Sequence, residues 1–221
     1  MNSFFNPDNP VTVILTRLFD LILLNSCFVI TTIPVFTAGA SLTAMYSVTL
    51  RMADGEWGYT AKHYFDAFRR EFRQATMLWL LLGGLGAFFS ADLYIVYFIL
   101  EEKLIFLCIP IWLLVVFDVS AMIYVFPMLA RYEQTNGQLI RNAILLAIGN
   151  IPVTVSIAAV IGLIVDLSIH NGSLRVLFMS IFLFIGFALL ARVFSAFFRR
   201  IFHSTEDRTG HRKYRNEEVF K

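Results

Sequence analysis

Apolar residues run almost without interruption over Val11–Ile33, Thr76–Leu100, Leu104–Leu129, Ala143–Val165 and Leu174–Phe198. Each stretch is long enough to cross a hydrocarbon core of about 30 Å as a helix, which takes roughly 20 residues. The connectors Glu101–Lys103 and Asp166–Ser173 are short, and Arg131–Asn142 is somewhat longer. A further stretch, Ala38–Arg51, is rich in Ala, Ser, Thr and Gly. Small residues let helices approach closely, which places this stretch inside the bundle rather than against lipid. It either crosses as a sixth, short span (38–51) or re-enters with the first, which Pro34 ends or kinks. The pattern predicts an all-α, polytopic transmembrane bundle.

Between the second and third of these segments the pattern changes. Asp54-Gly55-Glu56-Trp57-Gly58 reads as a turn, and Tyr59–Thr76 as an amphipathic helix. Tyr64, Phe65, Phe68 and Phe72 fall near one side of it, with Lys62, Arg69, Arg70 and Arg73 mostly on the other. Such a helix (59–75) suits the headgroup region or a docking surface. The chain divides into a membrane domain over 1–203 and a polar tail over 204–221. Its start, MNSFFNPDNP, is a proline-broken arm that sets Pro10 at the first position of the first span.

Composition agrees. Of 221 residues 58% are hydrophobic and 15% charged, with mean hydropathy +0.70, whereas a soluble domain carries about 25% charged residues. Cys27 and Cys108 both lie in apolar runs, which argues against a disulfide framework or a thiolate metal site. Ala38-Gly39-Ala40 has the form of a signal cleavage site, but the uncharged run Leu21–Leu50 is far longer than a signal core of about 7–15 residues. An uncleaved first span is expected.

Charge sets the orientation. Fourteen of the eighteen Lys and Arg fall in one alternate set of connectors and ends, around 51–73, 131–141 and 199–221; Lys103 and Arg175 make up the other set. The rich set is cytoplasmic by the positive-inside rule. Six spans then put both termini in the cytoplasm of a cell-membrane protein; a re-entrant second piece leaves five, with the N-terminus outside.

The candidate intramembrane polar site is Asp118 with Asn25, expected at similar depth. A carboxylate near mid-span costs roughly 2.5–3.5 kcal/mol on insertion scales, so it faces the bundle interior or water and serves either as a proton relay, cation site or substrate hydrogen-bonding group or as a packing anchor. Asp20 and Arg192, both about a third of the way in, form the candidate structural ion pair, with Arg17 as an alternative partner for Asp20. Lys62, Phe65, Phe68, Arg69, Phe72 and Arg73 form the candidate docking or membrane-surface helix. Asn150-Ile151-Pro152 and Pro127 read as kinks that free a carbonyl for a neighbour. Gly83-Gly84-Leu85-Gly86 reads as a packing notch, and Ala158 with Gly162 as a second close contact. No HExxH, GxSxG, Walker or paired-carboxylate motif occurs, and the four histidines lack ligand spacing. The expectation is therefore no enzyme, no cofactor and no metal. Basic residues on one face follow from insertion and anionic lipid, so no nucleic acid is expected as a partner.

The quoted NPDNP, the Leu-Asn of the first span, IPVFTAGASLTAMY, the Arg51–Gly58 turn and YFDAFRREFRQAT together resemble the YesL-like family of bacterial membrane proteins, a group of unknown function. The resemblance runs from Phe5 to about Trp79. It implies an accessory or scaffold role beside carbohydrate uptake, with a sugar transporter complex and the lipid bilayer as partners, and it supplies no catalytic residues. The alternative is a small permease or channel with a polar pathway around Asp118.

Overall fold

A computed structural model describes residues 10–98, 106, 108–170 and 172–209. Residues 1–9 of the arm, the connector Glu101–Lys103 with its flanks, Asn171 and residues 210–221 lie outside the described residues. Every regular element among those described is helical.

Helix α1 (Pro10–Thr32) starts at a proline, whose missing N–H would be unpaired there anyway. Leu21, Leu24, Asn25 and Phe28, spaced by three and four, are buried, while Ile14, Leu15, Leu18 and Phe19 face outward. Pro34 stops α1, and a 3₁₀ turn, Val35–Thr37, leads into α2 (Ala38–Ala53). Hydroxyls knot this corner. Thr37 Oγ1 donates to Pro34 O at 2.6 Å, Ser41 Oγ to Thr31 Oγ1 at 3.0 Å, and Thr31 Oγ1 meets Tyr64 Oη at 2.5 Å.

Helix α2 is the hub. Thirteen of its residues are buried, and it packs on α1, α3, α4 and α8. Its small residues make that possible: a Cβ placed on Gly39 would sit 2.5 Å from Trp79 Cβ and 2.6 Å from Ala75 O. At 16 residues it is about 24 Å long, short of a 30 Å core. Among the described residues four other helices and the continuous helical run Leu174–Phe202 are long and apolar enough to cross a membrane; α2, expected at 38–51 either as a short sixth span or as a re-entrant piece, is shorter than all five.

The turn after α2 uses left-handed backbone at Gly55 (φ 96°), Gly58 (φ 102°) and Tyr59 (φ 49°). Nothing lies within 4 Å of a Cβ at Gly58, so Gly58→Ala is expected to cost about 1 kcal/mol through φ alone. Thermal unfolding of the purified protein checks this.

Helix α3 (Thr60–Phe98) corrects the expected division at 75. The amphipathic piece and the next span are one helix of 39 residues, because no proline or glycine interrupts the sequence around Thr76. The earlier part therefore does not lie flat as a separate surface helix. Tyr64 also leaves the expected aromatic side and is fully buried, leaving Phe65 and Phe72 outward.

Helix α4 (Cys108–Arg131) returns along α3 and stays helical through Pro127. The expected single span at 143–165 is instead two helices, α5 (Asn136–Gly149) and α6 (Ile151–His170). Pro152 cannot donate to an i−4 carbonyl and its ring clashes there, so the break falls at Asn150, with φ −128° and ψ 46°. Thr154 Oγ1 donates to Ala147 O at 3.0 Å and meets Tyr124 Oη at 2.9 Å, stitching the break. Helix α5 buries Leu139, Ala143 and Ala147 in the core it shares with α4. Ala158 and Gly162 on α6 are exposed, and a Cβ on Gly162 would meet nothing within 4 Å, so the expected close contact does not form among the described residues.

Helix α7 (Gly172–Ile181) passes through a π-helical turn, Phe182–Gly186, into α8 (Phe187–Thr209). The tail expected from 204 is thus helical as far as Thr209. The first half of α1 and the first half of α8 come together beside the turn that follows α2. There Arg17 stands 5.0 Å and Arg192 5.9 Å from the Trp57 ring. We call this the basic end.

Candidate functional site

The polar residues singled out above occupy separate places. Asn25 is fully buried and spends its whole amide on the π-turn. It donates to Phe182 O at 3.0 Å and Leu183 O at 2.8 Å, and its oxygen accepts from Ala188 N at 3.1 Å. A π-turn holds one residue more than an α-turn, so backbone groups there lose their regular partners and need others. Asn25 supplies them and joins α1 to α8.

Asp118 is elsewhere, on α4 facing α3, so the expected Asp118–Asn25 site does not form. The residue is 8% exposed, and its carboxyl lies against Gly86, where a Cβ would be 2.9 Å from Oδ2. No hydrogen bond or ion pair joins it to another described residue. Of the expected glycine notch, Gly86 makes this room; a Cβ on Gly83 would stand 3.9 Å from Met122 Cε, and one on Gly84 would meet nothing within 4 Å.

The expected Asp20–Arg192 pair is also absent among the described residues. Asp20 Oδ1 accepts from Thr60 Oγ1 at 2.9 Å, tying α1 to the start of α3, and its buried Oδ2 has no partner. Arg192 instead donates to Met52 O at 3.3 Å, and Arg17 stacks on Trp57 rather than pairing with Asp20. The carbonyls at the C-terminal end of α2 carry partial negative charge, which draws these cations there.

Sequence reasoning missed the network this creates. Asp54 Oδ1 pairs with Arg199 Nε at 2.8 Å, while its Oδ2 lies 4.0 Å from buried Arg131. Arg199 also donates to Ala53 O at 2.7 Å, and Arg131 stands 5.6 Å over the Phe202 ring. Glu71, only 2% exposed, pairs with Arg70 Nε at 2.7 Å. Nothing in the order of residues links Asp54 to Arg199; the one available signal was the acid's position just after a small-residue helix.

The first half of α3 presents two faces. Thr60, Tyr64, Ala67, Glu71 and Ala75 are sealed against the bundle, whereas Lys62, Phe65, Arg69, Phe72 and Arg73 are exposed. Phe68 is half-buried between them.

Residues 21–93 match the family model described as "Protein of unknown function, DUF624". The matched third of the chain holds Asn25, the whole of α2, the glycine turn and most of α3, including Gly86. It stops short of Asp118, Arg192 and the rest of α8. No curated protein and no solved structure matches the chain.

Proposed function

We propose that the chain is a multi-pass membrane scaffold, an accessory protein without enzymatic activity that docks a partner on the outward face of the first half of α3. The role beside carbohydrate uptake is the one the resemblance of 5–79 implies. One observation carries the reading: Phe65 and Phe72 stay 41% and 36% exposed, interleaved with Lys62, Arg69 and Arg73, on a helix whose other face is closed. Aromatic and Arg side chains together are typical anchors of protein interfaces.

A photocrosslinking residue at Phe65 or Phe72 in native membranes is expected to yield one discrete protein adduct. The same residue at Ile14, on the apolar face of α1, is expected to capture only lipid. Lipid alone at all three positions would overturn the docking reading.

Asp118 favours a second reading, a small permease, because its buried carboxyl has no hydrogen-bond or ion-pair partner among the described residues. If the scaffold reading holds, Asp118→Asn leaves sugar and proton flux through proteoliposomes unchanged. A flux that wild type carries and Asp118→Asn lacks would favour the permease.

A further inference from the structure

At the basic end, between the close of α2 and the face of α8, lies a cleft of about 510 Å³ lined by Ala53, Arg192, Ala196, Arg199 and Arg200. Three of its five lining side chains are guanidinium groups. The other two are alanines, which leave the space unfilled.

Among the described side chains, charge in this region does not balance. Arg199 uses Nε and Nη1 on Asp54 and Ala53 O, and Arg192 uses one nitrogen on Met52 O. Arg200 is exposed and makes no hydrogen bond or ion pair with any described residue. Arg17 and Arg199 both repel Arg192 electrostatically. The acid on this network, Asp54, is shared between Arg199 and Arg131. Like charges gathered beside a void are unfavourable unless an anion enters among them. Guanidinium forks match the oxygens of a phosphate group in geometry as well as charge.

We propose that this cleft is a binding site for a phosphate-bearing anion, either the headgroup of an anionic phospholipid or a free phosphate compound. The site is distinct from the α3 docking face and stands whether or not that face has a partner. Arg192 and Arg199 hold the anion while bracing α2. Arg200 contributes charge without bracing anything.

That difference gives a clean test. The full chain is purified in detergent, offered phosphatidylglycerol and phosphatidylcholine in equal amounts, and the retained lipid is read by native mass spectrometry. Wild type is expected to keep phosphatidylglycerol about tenfold better than phosphatidylcholine. Arg200→Gln is expected to lose about tenfold in phosphatidylglycerol binding, the order expected for a charged hydrogen bond, with unchanged melting temperature. Arg69→Gln, a cation removed from α3 instead, is expected to bind like wild type.

Inorganic phosphate is then added as competitor. Displacement of the lipid at millimolar phosphate identifies a site that takes free phosphate compounds, and its failure identifies a headgroup site; both agree with the proposal. Equal losses in Arg200→Gln and Arg69→Gln would overturn it, since they would mean a diffuse basic surface. So would absence of any preference between the two lipids in wild type.

Discussion

Replacing Gly39 with leucine is expected to abolish the folded bundle, and alanine at the same position to destabilise it severely. The added Cβ would stand 2.5 Å from Trp79 Cβ, 2.6 Å from Ala75 O and 3.1 Å from the Phe126 ring. One of these neighbours is backbone and another is a Cβ, so neither can turn aside as the end of a long side chain would. Relief requires moving α2 away from α3, and α2 is the helix on which four others rest. Overpacking of this kind costs about 1–3 kcal/mol where the neighbours can adjust, and more where they cannot. Detergent-solubilised Gly39→Ala should melt well below wild type, and Gly39→Leu should be recovered only as aggregate. Gly84→Ala, with nothing within 4 Å of its Cβ, should behave as wild type.

The second large effect is expected at Asn25. Asn25→Leu keeps the branched heavy-atom shape, though bulkier, and removes every hydrogen bond to the π-turn, leaving Phe182 O, Leu183 O and Ala188 N without them. A buried polar group left unsatisfied costs about 1–3 kcal/mol, so a loss of at least about 3 kcal/mol is expected from the three. Asn25→Asp is the sharper variant, because a carboxylate has the same shape but cannot donate to either carbonyl. Both should melt far below wild type. If Asn25→Asp melts with wild type, the π-turn does not depend on this amide.

The spans were readable because the difference between lipid and water is written into composition, residue by residue. What lipid does not distinguish stayed hidden. The boundary drawn at Thr76 marked a change of surroundings, from basic to apolar, and the helix passes through it unbroken. The break at Asn150 was signalled by Pro152, yet the apolar run on both sides disguised it as a kink. The start of α5 carried a Thr-x-x-Gln capping pattern that went unread: Thr135 N donates to Gln138 Oε1 at 3.2 Å.

The site residues divide the same way. Depth along a helix can be counted, but which neighbour a side chain faces depends on helix rotation, and a count of depth does not give it. Asp20 and Arg192 were matched by depth and charge, yet a threonine and a backbone carbonyl hold them. Asn25 and Asp118 were matched by depth and lie on different contacts. The small residues of α2 and Gly86 were legible, because the reason for smallness, close approach, is local to the helix that carries it.

The account rests on α2 being a closed hub, with no water path through the bundle beside it. Cysteine scanning tests that most directly. Single cysteines at Ser41, Thr43, Ser47 and Thr49, all buried, would be introduced after replacing native Cys27 and Cys108, and probed with a charged maleimide from both faces of sealed vesicles. The scaffold reading predicts no labelling at these four positions from either face, with Lys62 and Arg69 replacements labelled readily from one. Labelling that recurs every third or fourth residue along α2 would reveal an aqueous path and contradict the account in favour of a permease.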